Sequence, residues 1–550
     1  MDKRIFAVTP LALAAAFFAS VFCVNVAAPL RASPSLPEGV VLSLKAPSPY
    51  SLAQKVVAIA RQIEPGPQTE ALPFLLGAAL GDPTLQGIDR DENVSLFLLT
   101  TEDAVAPVLL LKLAGNGPYR QSLPQLGFEL SDHDGWTFAT LQAMPFTIAE
   151  ERRDLLLSLA QASRDRDIEL NISGRELGAR LLAIAENGDE FLQPFMGETN
   201  GAASNAIGSL ARMLAEELLD VVSMGISMNL NADAIAPFAH LEGVAGSPLG
   251  NFLSHEVPVS TQLAEWIEAD KASWVYLNNI DPEALGAYTR HLFSRLEEGF
   301  LKPMGEEGVT VGRVVRDLMD TYLENTGASS AGSLAPFGAS DDFRVESFQL
   351  SQTRMSSDDL VNFLREAVAL GQRESVTAFL KGMGQGHITV GAEDAVYLVE
   401  AERMVGDVPV HALHTGIVAD EGEPSDDEKI EIAYFAVLEG LLLQSTSIDL
   451  LIAHIEAIAS GEKPAANAAG EFAEKPGAAS QFFVDAVPFF RKMEEDGLAP
   501  EGSVSGLDLP KIRGELLFEN NTAVLRANMP VKLLAELYRH IKTLSVEERD

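Results

Sequence analysis

Two histidines three residues apart, His411 and His414 in "VPVHALHTGIV", are the first pair in this sequence that could do chemistry. On one face of a helix, two imidazoles at this spacing could share a metal ion. The residues around them alternate as they do in a β-strand, where side chains three positions apart point to opposite faces. We therefore expect structural or surface histidines and no metal site here.

Two loops gather oxygen ligands, "DRDEN" from Asp89 and "SDHDG" from Ser131. Neither loop continues into the glycine and glutamate that complete a calcium-binding loop. The pattern favours solvated loop charges, with a loose calcium site as the alternative.

Three further motifs match catalytic or cofactor patterns by letter alone. "GMGQGH" from Gly382 is preceded by a helical pattern and followed by a strand pattern, whereas a dinucleotide fingerprint leaves a strand and opens a helix. "SGEK" from Ser460 lies at a predicted helix end, and His255 with Glu256 lies in a predicted connection between domains. The sequence contains no G-x-S-x-G nucleophile elbow. The catalytic residues, if there are any, remain unknown, and no cofactor or metal is predicted.

Composition narrows the classes of partner. The chain has 550 residues, a formal net charge of -39 and a pI of about 4.5. Such a charge repels phosphate backbones and anionic lipid, so we expect no nucleic-acid partner. Apolar residues make up 47%, and a chain of this length can bury two or more cores.

The N-terminus has the pattern of an export signal. Lys3 and Arg4 precede an uncharged stretch that reaches Ala28, and small residues and prolines follow. We interpret residues 1–32 as a cleaved signal peptide or, alternatively, an uncleaved N-terminal membrane anchor. The one cysteine, Cys23, lies inside this segment, so the body of the chain has no disulfide and no thiolate site. A periplasmic or other extracytoplasmic location is expected.

The stretch "EIAYFAVLEGLLLQSTSIDLLIAHIEAIASGEKP", 431–464, is apolar enough to raise the question of a membrane span. Glu439 and Asp449 interrupt it too early for a spanning helix. The pattern instead predicts strands near 431–438 and 441–448, with a turn at Gly440, followed by a helix near 449–459. The same hairpin–helix order is predicted from Trp136, with a turn near Met144, and again from Gly514.

An internal repeat is predicted from a shared spelling. "NISGRELGA" from Asn171 and "NIDPEALGA" from Asn279 are followed by "FLQPFMGE" and "FLKPMGE". We expect residues 168–253 and 275–371 to fold alike, with Ser173 and Asp281 as helix N-caps. In each copy a leucine should face the core, and the glycine after it should let the helix approach the sheet.

The predicted fold class is α+β: duplicated units of antiparallel strands packed against helices, with recurring β-hairpin–helix elements. The predicted domains are an N-terminal α+β domain, 33–255, and a C-terminal α+β domain, 256–550. This layout, together with "LGDPTLQGID" from Leu80, resembles large secreted bacterial envelope proteins of unknown function. The resemblance implies an extracytoplasmic setting and no particular activity.

The sequence favours a non-enzymatic envelope scaffold or binding module, whose partner is an envelope protein or an apolar ligand. Two alternatives stay open. One is an extracytoplasmic hydrolase whose carboxylates meet only in the folded chain, and the other is a carrier of lipid or another apolar ligand.

Overall fold

The structure is a computed structural model that describes residues 36–79, 82, 84–101, 105–115, 117–144, 146–161, 166–186, 209, 212–335, 346–373, 394–417, 430–495, 502 and 507–547. The predicted signal segment and the "GMGQGH" motif lie outside these residues. Within them, no helix combines the length and the apolar composition needed to cross a bilayer.

The described chain is a mixed α+β fold whose strands pair in antiparallel fashion. Its strands are β1 (Val40–Ala46), β2 (Val94–Thr100), β3 (Val105–Leu111), β4 (Phe128–His133), β5 (Trp136–Leu141), β6 (Ile168–Ile172), β7 (Val221–Leu230), β8 (Ala234–Gly243), β9 (Trp274–Asn279), β10 (Thr326–Leu334), β11 (Ser347–Thr353), β12 (Asp394–Val405), β13 (Val408–Ile417), β14 (Ile430–Leu438), β15 (Leu441–Ser445), β16 (Ala478–Val484), β17 (Ile512–Glu519) and β18 (Thr522–Pro530). Its α-helices are α1 (Pro49–Ile63), α2 (Pro67–Ala79), α3 (Pro118–Ser122), α4 (Glu150–Gln161), α5 (Gly174–Glu186), α6 (Pro248–Leu253), α7 (Pro282–Leu296), α8 (Glu306–Asn325), α9 (Ser357–Gly371), α10 (Ile448–Ser460), α11 (Val487–Glu495) and α12 (Val531–Glu547).

The chain divides into two compact units. The first takes the described residues of 36–181, 215–253 and 508–547, and the second takes those of 182–214 and 254–507. The predicted C-terminal domain, 256–550, differs from this division in its last part. The hairpin β17–β18 belongs to the first unit, because β18 pairs with β8 over most of its length.

In the first unit, ten strands pair in the order β4-β5-β3-β2-β1-β6-β7-β8-β18-β17. The half of the sheet around β2, β3 and β5 packs α4 on one face, with Phe97, Phe138 and Leu156 fully buried between them. Near the other half, α1 and α12 contribute Ile59 and Val531 to a smaller cluster.

In the second unit, eight strands pair in the order β16-β9-β10-β11-β15-β14-β13-β12. One face forms the large apolar core, which includes Leu277, Leu350 and residues of α10. On the other face, α9 packs Leu360 and Leu364 against Phe435. Both faces of this sheet are therefore covered by helices.

The apolar stretch 431–464 forms β14, β15 and α10 of the second unit. Glu439 and Gly440 form the turn, with φ of 52° and 77°. The hairpin and helix predicted here are present, although β15 ends at Ser445 rather than at 448. The Gly514 prediction also agrees with β17, β18 and α12, whose turn is Asn520 and Asn521.

The hairpin–helix predicted from Trp136 is wrong. The chain after β5 forms no second strand, and it runs through an extended segment into α4. The hairpin lies earlier, between β4 and β5, where Asp134 and Gly135 have φ of 48° and 76°. The turn signal at Asp-Gly is stronger than the one at Met144, since both residues tolerate positive φ.

The two segments predicted to be repeats contain a common order of elements. The first has β6, α5, a helical segment at 212–219, β7 and β8, and the second has β9, α7, α8, β10 and β11. Pairing also corresponds, since β6–β7–β8 and β9–β10–β11 are each three adjacent antiparallel strands. Ser173 accepts the backbone N–H of Glu176, and Asp281 accepts those of Glu283 and Ala284, so both expected N-caps are present.

The glycines of the shared motif contact helices rather than the sheet. A Cβ on Gly178 of α5 would lie 2.6 Å from the carbonyl oxygen of Ala215 and 3.1 Å from Cβ of Leu218. A Cβ on Gly286 of α7 would lie 3.9 Å from Cβ of Leu323 in α8. The expectation that these glycines let their helices approach the sheet closely is thus wrong, because each glycine faces the next helix along the chain.

Candidate polar binding site

The register of the first sheet places polar residues from β2, β1, β6, β7, β8 and β18 in two adjacent rows on one face, here called the polar face. Directly opposed residues of antiparallel strands share a face. The first row runs Ser43, Asn171, Gly225 and His240 across four strands. The second runs Ser95, Lys45, Glu169, Ser227, Phe238 and Arg526.

The polar face is buried. Asn171 is 3% exposed, Glu169 and Lys45 are each 6% exposed, and Ser43 is 1% exposed. Charged residues are rarely buried to this extent unless they are paired. Lys45 stands directly opposite Glu169, so each charge has its counter-ion in the neighbouring strand.

Burial lowers the pKa of the Lys45 ammonium, and the negative charge of Glu169 partly offsets that effect. Desolvation disfavours the charged form of an amine, whereas a carboxylate beside it favours that form. The Glu169 carboxylate is also held by Asn171, whose Nδ2 donates to Oε1 at 2.9 Å. The pair and its amide are therefore fixed in position on a sheet, which is a rigid support for recognition.

A second cation borders the pair. The guanidinium of Arg166 donates to the hydroxyl of Ser227 and lies 4.6 Å from the ring centroid of Phe238. This cation–π geometry holds an arginine in a fixed orientation at the edge of the polar face.

Four polar atoms of this face have neither a hydrogen-bond partner nor an ion pair in the structure. They are Ser43 Oγ, Ser95 Oγ, Asn171 Oδ1 and His240 Nε2. Native proteins satisfy the large majority of buried polar atoms, so an orphaned group calls for an ordered water or a bound molecule. Four such atoms, on β2, β1, β6 and β8, make this face the candidate ligand site of the described chain.

His240 is held neutral. Burial lowers its pKa to about 4, and the nearby Arg166 charge adds to the effect, while Glu169 opposes it. A neutral imidazole offers one donor and one acceptor, so at ordinary pH His240 can accept or donate a hydrogen bond without a change of charge.

Gly225 allows two of these groups, the Asn171 amide and the His240 imidazole, to lie close together. A Cβ at this position would lie 2.5 Å from Asn171 Oδ1 and 2.6 Å from His240 Cε1. Only glycine permits this approach, because any other side chain would displace the amide or the imidazole.

The equivalent face of the second unit has a different character. There, Asn279 Oδ1 accepts a hydrogen bond from Ser329 Oγ at 2.7 Å, and its Nδ2 donates to the carbonyl of Ser260 at 2.9 Å. The residue two positions before this asparagine is Leu277, which is 1% exposed, where the first unit has Glu169. In the second unit, the oxygen and the nitrogen of the Asn279 side chain both have hydrogen-bond partners, and apolar side chains surround it on this face.

The histidines of "HALH" lie on opposite faces of β13, as the alternation predicted. His411 Nδ1 accepts the backbone N–H of Ala401 at 3.1 Å, and Nε2 lies 3.0 Å from Ser357 Oγ. His414 Nε2 lies 2.8 Å from a Glu402 oxygen and stacks on the Tyr397 ring. The two rings therefore do not converge on one ion.

The acidic loops are bound by cations of the chain itself. In "DRDEN", Lys112 Nζ lies 3.1 Å from Glu92 and 3.8 Å from Asp89. In "SDHDG", Asp132 accepts hydrogen bonds from Arg120 and Thr137. His133, with Asp134 and Asp154, brings three potential ligand atoms within 4.8 Å of one another, and His133 Nε2 lies 2.6 Å from Asp154.

The other motif residues lie at the surface. His255 and Glu256 are exposed beside the boundary between the units, and Ser460 is exposed at the end of α10, where its hydroxyl donates to the carbonyl of Ala457. None of these residues lies on the polar face.

Comparisons of the chain with protein-family models, with curated proteins and with solved structures found no match.

Sequence reasoning missed the polar face. Its residues are spread from position 43 to 240 and beyond, and strand pairing alone brings them together. One signal was present, because Asn171 begins the repeated motif. Helix capping explains the residues that follow in this motif, but it does not explain the asparagine itself.

Proposed function

We propose that this protein is an exported cell-envelope protein that acts as a non-enzymatic binding module, and that the polar face of its first unit takes a small polar ligand. The observation that carries the proposal is the group of four orphaned polar atoms beside the Lys45–Glu169 pair. A ligand with both hydrogen-bond donors and acceptors, and with no large net charge, would complement them.

The same features favour binding over the two alternatives. A carrier of apolar ligands needs an apolar wall, whereas this face holds three charged residues, an amide and several hydroxyls. A carboxylate-based hydrolase needs two acids that converge, but the group directly opposite Glu169 is an ammonium.

We further propose that 168–253 and 275–371 are copies of one ancestral unit. Support comes from the common element order, the matched N-caps, and the two glycines that face leucines at corresponding places. Leu218 lies three residues before β7, and Leu323 lies three residues before β10. In this proposal one copy keeps an apolar, structural face, and the other has gained the polar one.

Export is tested with a reporter. A fusion after about Pro37 should be active only outside the cytoplasm of a Gram-negative host. Reporter activity only inside the cytoplasm would contradict the proposed envelope location.

Binding is tested on the full chain isolated from the envelope fraction under non-denaturing conditions. Mass spectrometry of the intact protein should show an additional bound small molecule, which Lys45→Met loses. The matched control is Lys271→Met, because Lys271 is a lysine with 71% of its side chain exposed. A crystal structure with only ordered water at Asn171 Oδ1 and His240 Nε2, or a bound molecule that Lys45→Met retains, would contradict this site.

A further inference from the structure

Strand β12 contains a bulge opposite His411. The registered pairs that flank the bulge are Val399 with Ala412 and Arg403 with Val410. Three residues of β12, 400–402, therefore lie opposite the single residue His411 of β13. A bulge bends its strand and interrupts the ladder of hydrogen bonds. In the described part of the second sheet, β12 is the edge strand, so this bulge lies on an edge.

The middle residue of the bulge, Ala401, has a φ of 51°, in the left-handed region that alanine rarely adopts. Its backbone N–H donates to His411 Nδ1 at 3.1 Å. A residue in this region persists only where its surroundings hold it there. The imidazole of His411, which is 3% exposed, supplies one such contact from the neighbouring strand.

This hydrogen bond fixes the protonation state in which His411 can hold the bulge. A ring nitrogen that accepts a hydrogen bond carries no proton, so the proton of the neutral ring is on Nε2. That N–H donates to the hydroxyl of Ser357 at 3.0 Å, at the start of α9. A second proton would have to go on Nδ1, where it would face the N–H of Ala401. Two donors cannot bond to each other, so the charged ring loses its contact with the bulge.

The surroundings of His411 keep the ring neutral at ordinary pH. Burial lowers the pKa of His411 below its usual value, although the negative charges of Glu400 in β12 and Asp358 in α9 partly oppose the effect. Glu400 is itself paired with Arg365 of α9 at 2.5 Å. On the other side, β14 places the uncharged ring of Phe435 opposite His411. Only under acidic conditions does His411 take up its second proton.

The far end of the bulge is held by the other histidine of "HALH". His414 Nε2 lies 2.8 Å from a carboxylate oxygen of Glu402. Protonation of His414 adds a positive charge beside a carboxylate and retains the donor, so it strengthens this contact. Acid therefore acts on the two histidines in opposite ways, and it weakens the bulge at Ala401 alone.

We propose that His411 is a pH-sensitive latch on the β12 bulge: the neutral ring holds Ala401 in its left-handed conformation, and the protonated ring releases it. Glu402 stays bound to His414, so the change is confined to the first part of the bulge. Acid thereby loosens an edge strand, and edge strands are the places where sheets pair with other chains. The latch lies in the second unit and does not depend on the ligand site of the first.

Hydrogen–deuterium exchange of the full chain tests the latch, with mass spectrometry of peptides that cover β12 and β15. Exchange is measured from about pH 7 to about pH 4, a range that begins above the ordinary pKa of histidine, and each rate is corrected for the intrinsic effect of pH. The β12 peptide of the wild type should lose protection as the pH falls, while the β15 peptide keeps its protection.

His411→Asn is the discriminating variant, because the Oδ1 of asparagine can replace Nδ1 as the acceptor and does not titrate. Its β12 peptide should stay protected over the whole range. His411→Phe, which has no acceptor, should lose that protection already at neutral pH. The matched control is His414→Asn, whose β12 peptide should still lose protection in acid as the wild type does. The β15 peptide at neutral pH shows that each variant is folded.

A wild-type β12 peptide that keeps its protection in acid overturns the latch. Loss of protection in β12 and β15 together overturns it in favour of general acid unfolding. A His411→Asn chain that loses protection at the same pH as the wild type, or a His411→Phe chain that is fully protected at neutral pH, shows that the ring does not hold the bulge. The wild-type comparison needs no variant, so it decides the matter even where a substitution prevents folding.

Discussion

Glycine-to-alanine substitutions at Gly178 and Gly286 should have opposite effects on stability, although both glycines occupy the same place in the repeated motif. Alanine is favoured over glycine inside a helix by about 1 kcal/mol. Where a Cβ has room, the substitution therefore stabilises the folded chain, and where it meets backbone, overpacking costs about 1–3 kcal/mol.

The surroundings decide the sign. At Gly178 the new Cβ would lie 2.6 Å from the carbonyl oxygen of Ala215 and 3.1 Å from the backbone nitrogen of Leu219. The helical segment 212–219 would have to move away by several tenths of an ångström, and the residues packed against it would have to move as well. At Gly286 the nearest atom is Arg290 Nη1 at 3.3 Å, the far end of a flexible side chain that can swing aside.

We therefore expect Gly178→Ala to destabilise the first unit by about 1 kcal/mol net, and Gly286→Ala to stabilise the second by about 0.5–1 kcal/mol. The assay is denaturant unfolding followed by circular dichroism, with each variant compared with the wild type on the transition of its own unit. If Gly178→Ala is as stable as the wild type, the close approach of α5 to the 212–219 segment is not real. If Gly286→Ala is the more damaging change, the reasoning from Cβ space fails.

Three further predictions follow from single contacts. On folding, the pKa of His240 falls from 6.5 to about 4, so between these pH values the unfolded chain binds a proton that the folded chain does not. The free energy of unfolding should therefore drop by roughly 3 kcal/mol as the pH falls from 6.5 to 4. His240→Gln should lack this drop in pH-dependent denaturation, and identical pH profiles for the variant and the wild type would contradict the prediction. Ser329→Ala leaves the buried Oδ1 of Asn279 without a hydrogen-bond donor and should lower the free energy of unfolding by about 1–3 kcal/mol, measured by thermal unfolding. The control is Ser460→Ala, at an exposed serine. Equal effects of the two substitutions would show that the Ser329–Asn279 hydrogen bond does not stabilise the fold. Asp281→Ala removes an N-cap whose side chain accepts two backbone N–H groups, and should lower the free energy of unfolding by about 1 kcal/mol. Asp281→Asn should retain most of that stability, because an asparagine side chain also caps helices. Equal losses of stability for the two variants would argue against capping.

Local chemistry in the sequence predicted local structure well. Gly440 predicted a hairpin turn because glycine tolerates positive φ, and Asp281 predicted a helix start because its side chain can accept hydrogen bonds from the first turn. The turn near Met144 was wrong because an apolar–Pro pair is a weaker signal than the Asp134–Gly135 turn that precedes it.

Long-range pairing could not be read in the same way. The sequence "VVLSLKA" alternates as a strand with one solvated face does, and by that pattern alone Ser43 and Lys45 would lie on the solvated face. Both are buried, and the polar face exists only because β1 pairs with β6 more than a hundred residues later. The pattern of one strand contains no information about which polar residue will stand opposite in another.

The pairing of β18 with β8 has a consequence for how the chain is made. Strands β8 and β18 are nearly three hundred residues apart, so the β8 edge of the first unit stays unpaired until β18 has been synthesised. The second unit, 182–214 and 254–507, is complete before β17 is made and can assemble while the first still lacks its final hairpin. An open strand edge is a template for association with other chains. A chaperone, or rapid completion of the C-terminal hairpin, would protect this edge. A chain that stops before β17 should aggregate although most of its residues are present.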